Sequence, residues 1–161
     1  MITNTEKEAE AIVEDMQRRL SDVDARVKDA PRVKVFYTFA ITDLTNPWTA
    51  GPGSFVDSLI TMAGGDNIAS KASMPWAQFS IEEVVSSDPQ VIILDVSHGS
   101  AITSVESLKR QLEEHPAWKE VTAVKEGRIY PIDGDLINRP GPRIVQGLEE
   151  IARAIHPELF E

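Results

Sequence analysis

The chain contains no cysteine, few aromatic residues, no basic block and no long apolar run. Without cysteine there can be no disulfide, no thiolate metal site and no cysteine nucleophile. No apolar segment approaches the ~20 residues that a membrane-spanning helix needs. The 16 lysine and arginine residues are outnumbered by 26 aspartate and glutamate residues. Because phosphate neutralisation supplies most nucleic-acid affinity, we expect no nucleic-acid partner.

The N-terminus also lacks the pattern of a secretory signal. Charged residues follow Met1 within a few positions, and no basic segment precedes an apolar stretch. A cytosolic protein or a piece of a longer protein would both look like this, and composition does not decide between them. The length of 161 residues suits one domain with one core.

The first regular element is a long amphipathic helix predicted over residues 6–28. Its apolar stripe recurs at alternating spacings of four and three residues and consists of Ala9, Val13, Met16, Leu20, Val23 and Val27. Thr5 and Glu8 have the spacing of a capping box, and Pro31 ends the helix. The stripe predicts either a helix that packs on its own domain or a helix that pairs with another chain.

After this helix, predicted strands alternate with predicted helices. The segments typical of strands are residues 33–39, 91–94 and 128–132. The alternation predicts an α/β fold, a three-layer αβα unit with a mainly parallel central sheet, preceded by the long N-terminal helix. Such sheets bind ligands outside the carboxyl ends of their strands. The loops of interest are therefore residues 40–53, 95–103 and 133–142.

Two tryptophans and one charged pair are candidates for a binding site. Trp48 and Trp76 each lie in a long predicted loop. An indole in a loop either covers the local core or offers a flat apolar surface to a ligand, and both interpretations stay open. Asp135 and Arg139 follow a predicted strand and form either an ordinary loop ion pair or a polar pair that points into a cleft. The third tryptophan, Trp118, is expected to pack under the edge of the sheet.

No arrangement of residues indicates catalysis. The three histidines are far apart, and none has a partner two or four residues away: His98, His115 and His156. Asp133 and Asp135 can form a carboxylate pair, but nothing nearby completes a pair of nucleophile and base. A stand-alone α/β enzyme that uses Asp133, Asp135 and Arg139 is kept as a rival hypothesis, as is a module that self-associates through helix 6–28.

Several short segments occur in an order that is specific when taken together. They are GSF at 53–55, AGGDNI at 63–68, WAQFSIEEV at 76–84, DPQVII at 88–93, AVKEGRIY at 123–130 and RPGPR at 139–143. In this order they resemble the C-terminal lobe of the helical-backbone substrate-binding proteins of bacterial and archaeal ABC importers. Members of that family capture vitamin B12, ferric siderophores and haem.

The resemblance implies an organisation in two lobes, of which this chain holds one. Residues 1–30 would be the end of the helix that connects the lobes, and residues 31–161 the C-terminal substrate-binding lobe. The N-terminal lobe and the secretion signal would be absent from the chain. The whole protein would be extracytoplasmic and not an enzyme, with no intrinsic cofactor. A dimer of the isolated lobe would have no biological meaning.

The resemblance also implies which residues contact ligand and partner. In vitamin B12-binding relatives, the ligand contacts of this lobe match Trp48, Trp76, Asp135, Leu136 and Arg139. A corrinoid, ferric siderophore or haem is large and partly flat, so an indole can stack on it. The acid that docks on the importer's permease matches Glu82. Glu83 has the capping-box spacing from Ser80, which leaves Glu82 to point outward. The alternative is that Glu82 only stabilises the start of a helix.

Charge is distributed unevenly along the chain. Residues 31–80, which contain both candidate tryptophans, hold three basic and three acidic residues, whereas residues 81–161 hold 8 and 15. We therefore expect a nearly neutral aromatic surface with acidic residues outside it.

Overall fold

Helices and strands alternate along the chain in the computed structural model, which describes residues 4–96 and 104–161. The helices are α1 Asn4–Val27, α2 Phe55–Met62, α3 Ile81–Ser87, α4 Val105–Glu114, α5 Thr122–Lys125, α6 Gly134–Ile137 and α7 Ile144–Ile155. The strands are β1 Val33–Thr38, β2 Trp48–Ala50, β3 Gly65–Asn67, β4 Trp76–Gln78, β5 Val91–Asp95 and β6 Ile129–Ile132. Short 3-10 turns span Trp118–Glu120 and Pro157–Leu159.

Four strands form a central sheet in the order β3-β1-β5-β6. Each neighbouring pair is parallel, so the carboxyl ends of the strands meet at one edge. Thr38 at the end of β1 pairs with Leu94, and Asp95 at the end of β5 pairs with Ile132. The segments that follow β1 and β6 therefore leave the sheet on either side of Asp95.

Helices cover both faces of this sheet, because its strands are apolar on both sides. One core cluster joins Val35, Tyr37 and Ile93 to side chains of α1, α2, α6 and α7. The other joins Phe36, Ile92 and Leu94 to side chains of α3, α4 and α5. The predicted three-layer α/β fold with a parallel central sheet and a preceding helix is thus confirmed.

Trp118 is fully buried in the second cluster, as expected. Its ring centroid is 6.0 Å from that of Phe36, and its indole N–H donates a hydrogen bond of 2.8 Å to the Leu44 carbonyl. The hydrogen bond ties the loop after β1 to the helical layer.

Helix α1 packs on the domain through its C-terminal half only. Val23 and Val27 are buried, whereas Ile12 and Val13 are about half exposed. Arg19 forms two hydrogen bonds of 2.8 and 2.6 Å with the carboxylate of Glu149 on α7, which fixes the helix to the domain. Packing on its own domain is therefore confirmed for part of the stripe, and pairing with another chain stays untested.

The predicted capping box at the start of α1 is wrong. The helix already includes Asn4, so Thr5 lies inside it and does not precede its first turn. The amphipathic stripe sets the period of a helix, whereas its first residue depends on local backbone hydrogen bonds.

The long predicted loops contain short regular elements. Residues 40–53 include β2, the predicted loop around Trp76 includes β4, and residues 133–142 include α6. Strands of three residues are too short to show a periodic pattern in sequence. Most of the predicted loop 95–103, including His98, lies outside the described residues.

Candidate ligand-binding site

The two candidate tryptophans lie on one small antiparallel ribbon and not in irregular loops. Strands β2 and β4 pair Trp48 with Gln78 and Ala50 with Trp76. Residues that oppose each other across an antiparallel pair share a face, as do residues two apart on one strand. Both indoles therefore project from the same face of the ribbon.

Phe39, which directly follows β1, supports both indoles. Its ring centroid is 6.3 Å from that of Trp48 and 5.4 Å from that of Trp76, the latter in an edge-to-face arrangement. Trp48 is 37% exposed and Trp76 is 44% exposed. Each indole thus packs against Phe39 and still presents apolar surface to solvent.

Hydrogen bonds attach the ribbon to the carboxyl end of β1. The Trp48 N–H donates to the Ala40 carbonyl at 3.0 Å, and the Thr38 hydroxyl donates to the Trp48 carbonyl at 2.7 Å. The buried Thr49 hydroxyl donates to the Tyr37 carbonyl at 2.6 Å. The indoles therefore stand at the sheet edge where α/β proteins bind ligands.

The predicted charged pair occurs at the same edge, after β6. Asp133 caps α6 by accepting a hydrogen bond of 3.0 Å from the Asp135 N–H. Asp135 and Arg139 form an ion pair at 3.3 Å, and the Arg139 side chain is 77% exposed. The guanidinium can therefore reach a ligand, at the expense only of a weak surface ion pair.

Leu136 does not share this position. Its side chain is 3% exposed and packs in the core cluster on the α7 side of the sheet. The structure thus corrects its predicted role, because in a four-residue helix that lies against the core the apolar side chain turns inward. Asp135 and Arg139 remain the candidates from this segment.

A buried polar cluster below α6 was not predicted. Tyr37 donates a hydrogen bond of 2.8 Å to Oδ2 of Asp95, and the Asn138 amide donates to the same oxygen at 2.7 Å. Asp95 is 2% exposed. The pKa of the Tyr37 hydroxyl is raised far above its ordinary value, mainly because the hydroxyl is buried and also because the Asp95 charge is nearby. The sequence contains one sign of this cluster, the acidic residue Asp95 directly after the apolar run 91–94.

Glu82 lies at the start of α3, close in sequence to the ribbon. The predicted capping box is confirmed: the Ser80 hydroxyl accepts from the Glu83 N–H at 3.2 Å, and the Glu83 carboxylate accepts from the Ser80 N–H at 2.9 Å. Glu82 is exposed. The Ile81 N–H donates to the Thr45 carbonyl at 2.8 Å, so this helix is joined to the loop that leads into β2.

Histidines have structural roles in the part of the chain that the structure describes. His115 accepts hydrogen bonds from the Ala117 and Trp118 N–H groups, and His156 is 2% exposed against Gly64 and Glu158. Across residues 4–96 and 104–161, no group of three or more His, Asp or Glu residues is placed to hold a metal ion. Within the same ranges, no helix is both long and apolar enough to cross a bilayer.

The fold is that of periplasmic binding proteins of known structure. A periplasmic binding protein from Veillonella parvula superposes with a TM-score of 0.80 and 29% identity, over 94% of this chain and 51% of that one. The periplasmic vitamin B12-binding protein of Vibrio cholerae shares the fold with a TM-score of 0.70 and 24% identity, over 89% of this chain and 52% of that one. By its fold, this chain is therefore in the class of α/β binding proteins.

The chain belongs to the periplasmic binding protein family, whose model matches residues 1–136. An uncharacterised ABC transporter substrate-binding lipoprotein of Bacillus subtilis is 28% identical over 97% of this chain and 47% of its own length. A cobalamin-binding protein of Halobacterium salinarum is 30% identical over 92% of this chain and 39% of its own length. The chain thus spans half or less of the length of these relatives.

Proposed function

We propose that this chain is a substrate-binding lobe of an ABC importer for cobalamin or an iron chelate. The observation that carries the proposal is the pair of half-exposed indoles, Trp48 and Trp76, on one ribbon face at the carboxyl edge of the sheet. Two rigid aromatic surfaces side by side suit a large, flat and partly apolar ligand. Cobalamin, a ferric siderophore and haem all have this character.

Arg139 complements the indoles with a single exposed charge. It lies on the segment after β6, at the same sheet edge as the ribbon after β1. A guanidinium donates paired hydrogen bonds to a carboxylate or phosphate. The exposed ion pair with Asp135 is weak, so Arg139 can exchange it for such a group. The few charges on residues 31–80 leave stacking as the main source of affinity in this wall.

The likeness to ABC transporter and cobalamin-binding proteins supports a two-lobe arrangement in which residues 31–161 form the C-terminal lobe. Residues 1–30, which contain α1, form the end of the connecting helix. The exposed N-terminal half of α1 suits a helix that continues beyond this domain. The complete protein is an extracytoplasmic receptor, and its partner is the importer's permease.

Glu82 is the contact with that permease. It is exposed on a helix whose first turn is fixed by the Ser80 and Glu83 capping box, so its carboxylate is held at a defined place on the surface. A fixed acid can pair with a basic residue of a partner and orient the encounter.

Equilibrium dialysis of the chain against cyanocobalamin, haemin and ferrioxamine tests the proposal, with sucrose as a non-chelate control. We expect saturable binding of at least one chelate and none of sucrose. The affinity should be weak, with a Kd above about 10 µM, because the chain supplies one wall of a cleft. No binding of any chelate would contradict the assigned substrate class, and nanomolar binding would contradict the single-lobe arrangement.

A further inference from the structure

The oxygen Oδ2 of Asp95 joins two parts of the chain that are far apart in sequence. Tyr37 on β1 and Asn138 after α6 both donate hydrogen bonds to it, at 2.8 and 2.7 Å. Tyr37 is fully buried and Asp95 is 2% exposed. Hydrogen bonds to a carboxylate in such surroundings are stronger than hydrogen bonds between neutral groups.

Helix α6 rests directly on this carboxylate. A Cβ atom at Gly134 would overlap the Asp95 carboxylate, so glycine is needed for the helix to lie this close. The helix has only four residues and cannot be stable alone. Its position must come from tertiary contacts, either from the buried side chains of Leu136 and Ile137 or from the hydrogen bonds to Asp95.

Tyr37 also contacts the aromatic half of the site. Its carbonyl accepts the hydrogen bond from Thr49 on β2, and its ring centroid is 6.4 Å from that of Phe39. Its hydroxyl meanwhile reaches Asp95. Tyr37 thus links the strand that carries Trp48 to the carboxylate that holds α6.

We propose that Tyr37 and Asp95 are positioning residues that hold the segment 134–139, and with it Arg139, in register with the two indoles. Asn138 connects that segment to the carboxylate, and Arg139 follows it directly in the chain. The role of Arg139 in binding rests on the proposed function, whereas the fixing of the segment does not. Neither Tyr37 nor Asp95 touches the ligand.

Hydrogen exchange of the ligand-free chain tests the fixing of the segment. The reporters are the amides of Leu136 and Asn138, which donate to the Asp133 and Gly134 carbonyls, with the sheet amide of Ile92 as reference. In Tyr37→Phe we expect the two reporters to exchange about tenfold faster relative to Ile92. In Asn138→Ala, the Leu136 amide alone serves as the reporter, and it should also exchange about tenfold faster relative to Ile92.

Tyr130→Phe is the matched control. Tyr130 is the other tyrosine of the chain, it lies in the same sheet, and its hydroxyl makes no hydrogen bond to a described residue. Tyr130→Phe should leave the exchange of the two reporter amides relative to Ile92 unchanged. If Tyr37→Phe leaves the ratio unchanged as well, the apolar contacts of Leu136 and Ile137 fix α6 alone and the proposal is wrong.

A double-mutant cycle with whichever of cyanocobalamin, haemin and ferrioxamine the unaltered chain binds tests the link to binding. Tyr37→Phe and Arg139→Gln should each weaken binding, and the double variant should bind within about twofold of Arg139→Gln, because Tyr37 acts through Arg139. Fully additive losses would overturn that link. If the unaltered chain binds no cyanocobalamin, haemin or ferrioxamine, the proposed function fails, and the exchange ratio still decides whether Tyr37 fixes the segment.

Discussion

Phe39 stands edge-on to Trp76, with ring centroids 5.4 Å apart and planes at 88°. The same ring lies 6.3 Å from Trp48 at a tilt of 40°. One half-buried phenylalanine thus sets the separation and orientation of two exposed indoles. A ligand that stacks on both meets a surface whose geometry is fixed before it arrives, and this lowers the entropy that binding must offset.

Replacing Phe39 should therefore loosen the indoles. We expect Phe39→Ala to reduce the near-ultraviolet circular dichroism of the tryptophans and to lower the free energy of unfolding by about 2 kcal/mol. Phe55→Ala is the control, because Phe55 is 52% exposed and should change stability by less than about 0.5 kcal/mol. An unchanged tryptophan signal in Phe39→Ala would contradict the supporting role of this ring.

The ion pair between Arg19 and Glu149 should make stability depend on pH. Hydrogen bonding from Arg19 holds the pKa of Glu149 below its ordinary value of 4.5, although burial acts in the opposite direction. Arg153 also lowers this pKa, and Asp15 raises it. Because the folded carboxylate binds its proton less readily than the unfolded one, the stabilisation is present above pH 4.5 and is lost as pH falls through the lowered pKa.

We expect Glu149→Gln to lower the free energy of unfolding by about 1 kcal/mol at pH 7, and the difference from the unaltered chain to vanish in strong acid. Urea titrations between pH 7 and pH 3 measure this. Glu150→Gln is the neighbouring control, since Glu150 forms no ion pair with any described residue. A difference that grows as pH falls would have the wrong sign for this account.

The helix-dipole role of Glu82 and its proposed docking role can be separated with a second acid in the same setting. Glu82 and Glu106 each lie two residues after a capping serine, in the first turn of α3 and α4. Glu82→Gln and Glu106→Gln should lower stability equally, by less than about 1 kcal/mol.

Only Glu82→Gln should weaken binding to the importer permease in proteoliposomes, and the loss should shrink in high salt. Cosedimentation of the chain with the proteoliposomes gives the comparison. If both variants lose the same amount of permease binding, Glu82 is not the docking contact and only stabilises its helix.

The sequence predicted the parts of the fold whose patterns are long or strongly apolar. The stripe of α1, the apolar run of β5 and the capping box of α3 each rest on neighbouring residues, and the structure has all of them. Local patterns of this kind are readable because helix and strand periods repeat within each element.

The arrangement of the site could not be predicted in the same way. Strands β2 and β4 have three residues each, and their pairing depends on contacts across more than twenty positions. Tyr37 and Asp95 are 58 positions apart, and Asp95 and Asn138 are 43 apart. Nothing in the local sequence marks Phe39 as the support of two indoles, because that role exists only once the ribbon has folded over the end of β1.

The central claim is tested most directly with whichever of cyanocobalamin, haemin and ferrioxamine the unaltered chain binds, by comparing its binding to the chain and to a variant without the two exposed indoles. By titration calorimetry, Trp76→Ala should bind about tenfold more weakly than the unaltered chain, and Trp48→Ala with Trp76→Ala should show no measurable binding. Met74→Ala, an exposed apolar neighbour at 57% exposure, should bind normally. If the double variant binds that chelate as well as the unaltered chain does, the indoles are not the ligand surface and the account is wrong.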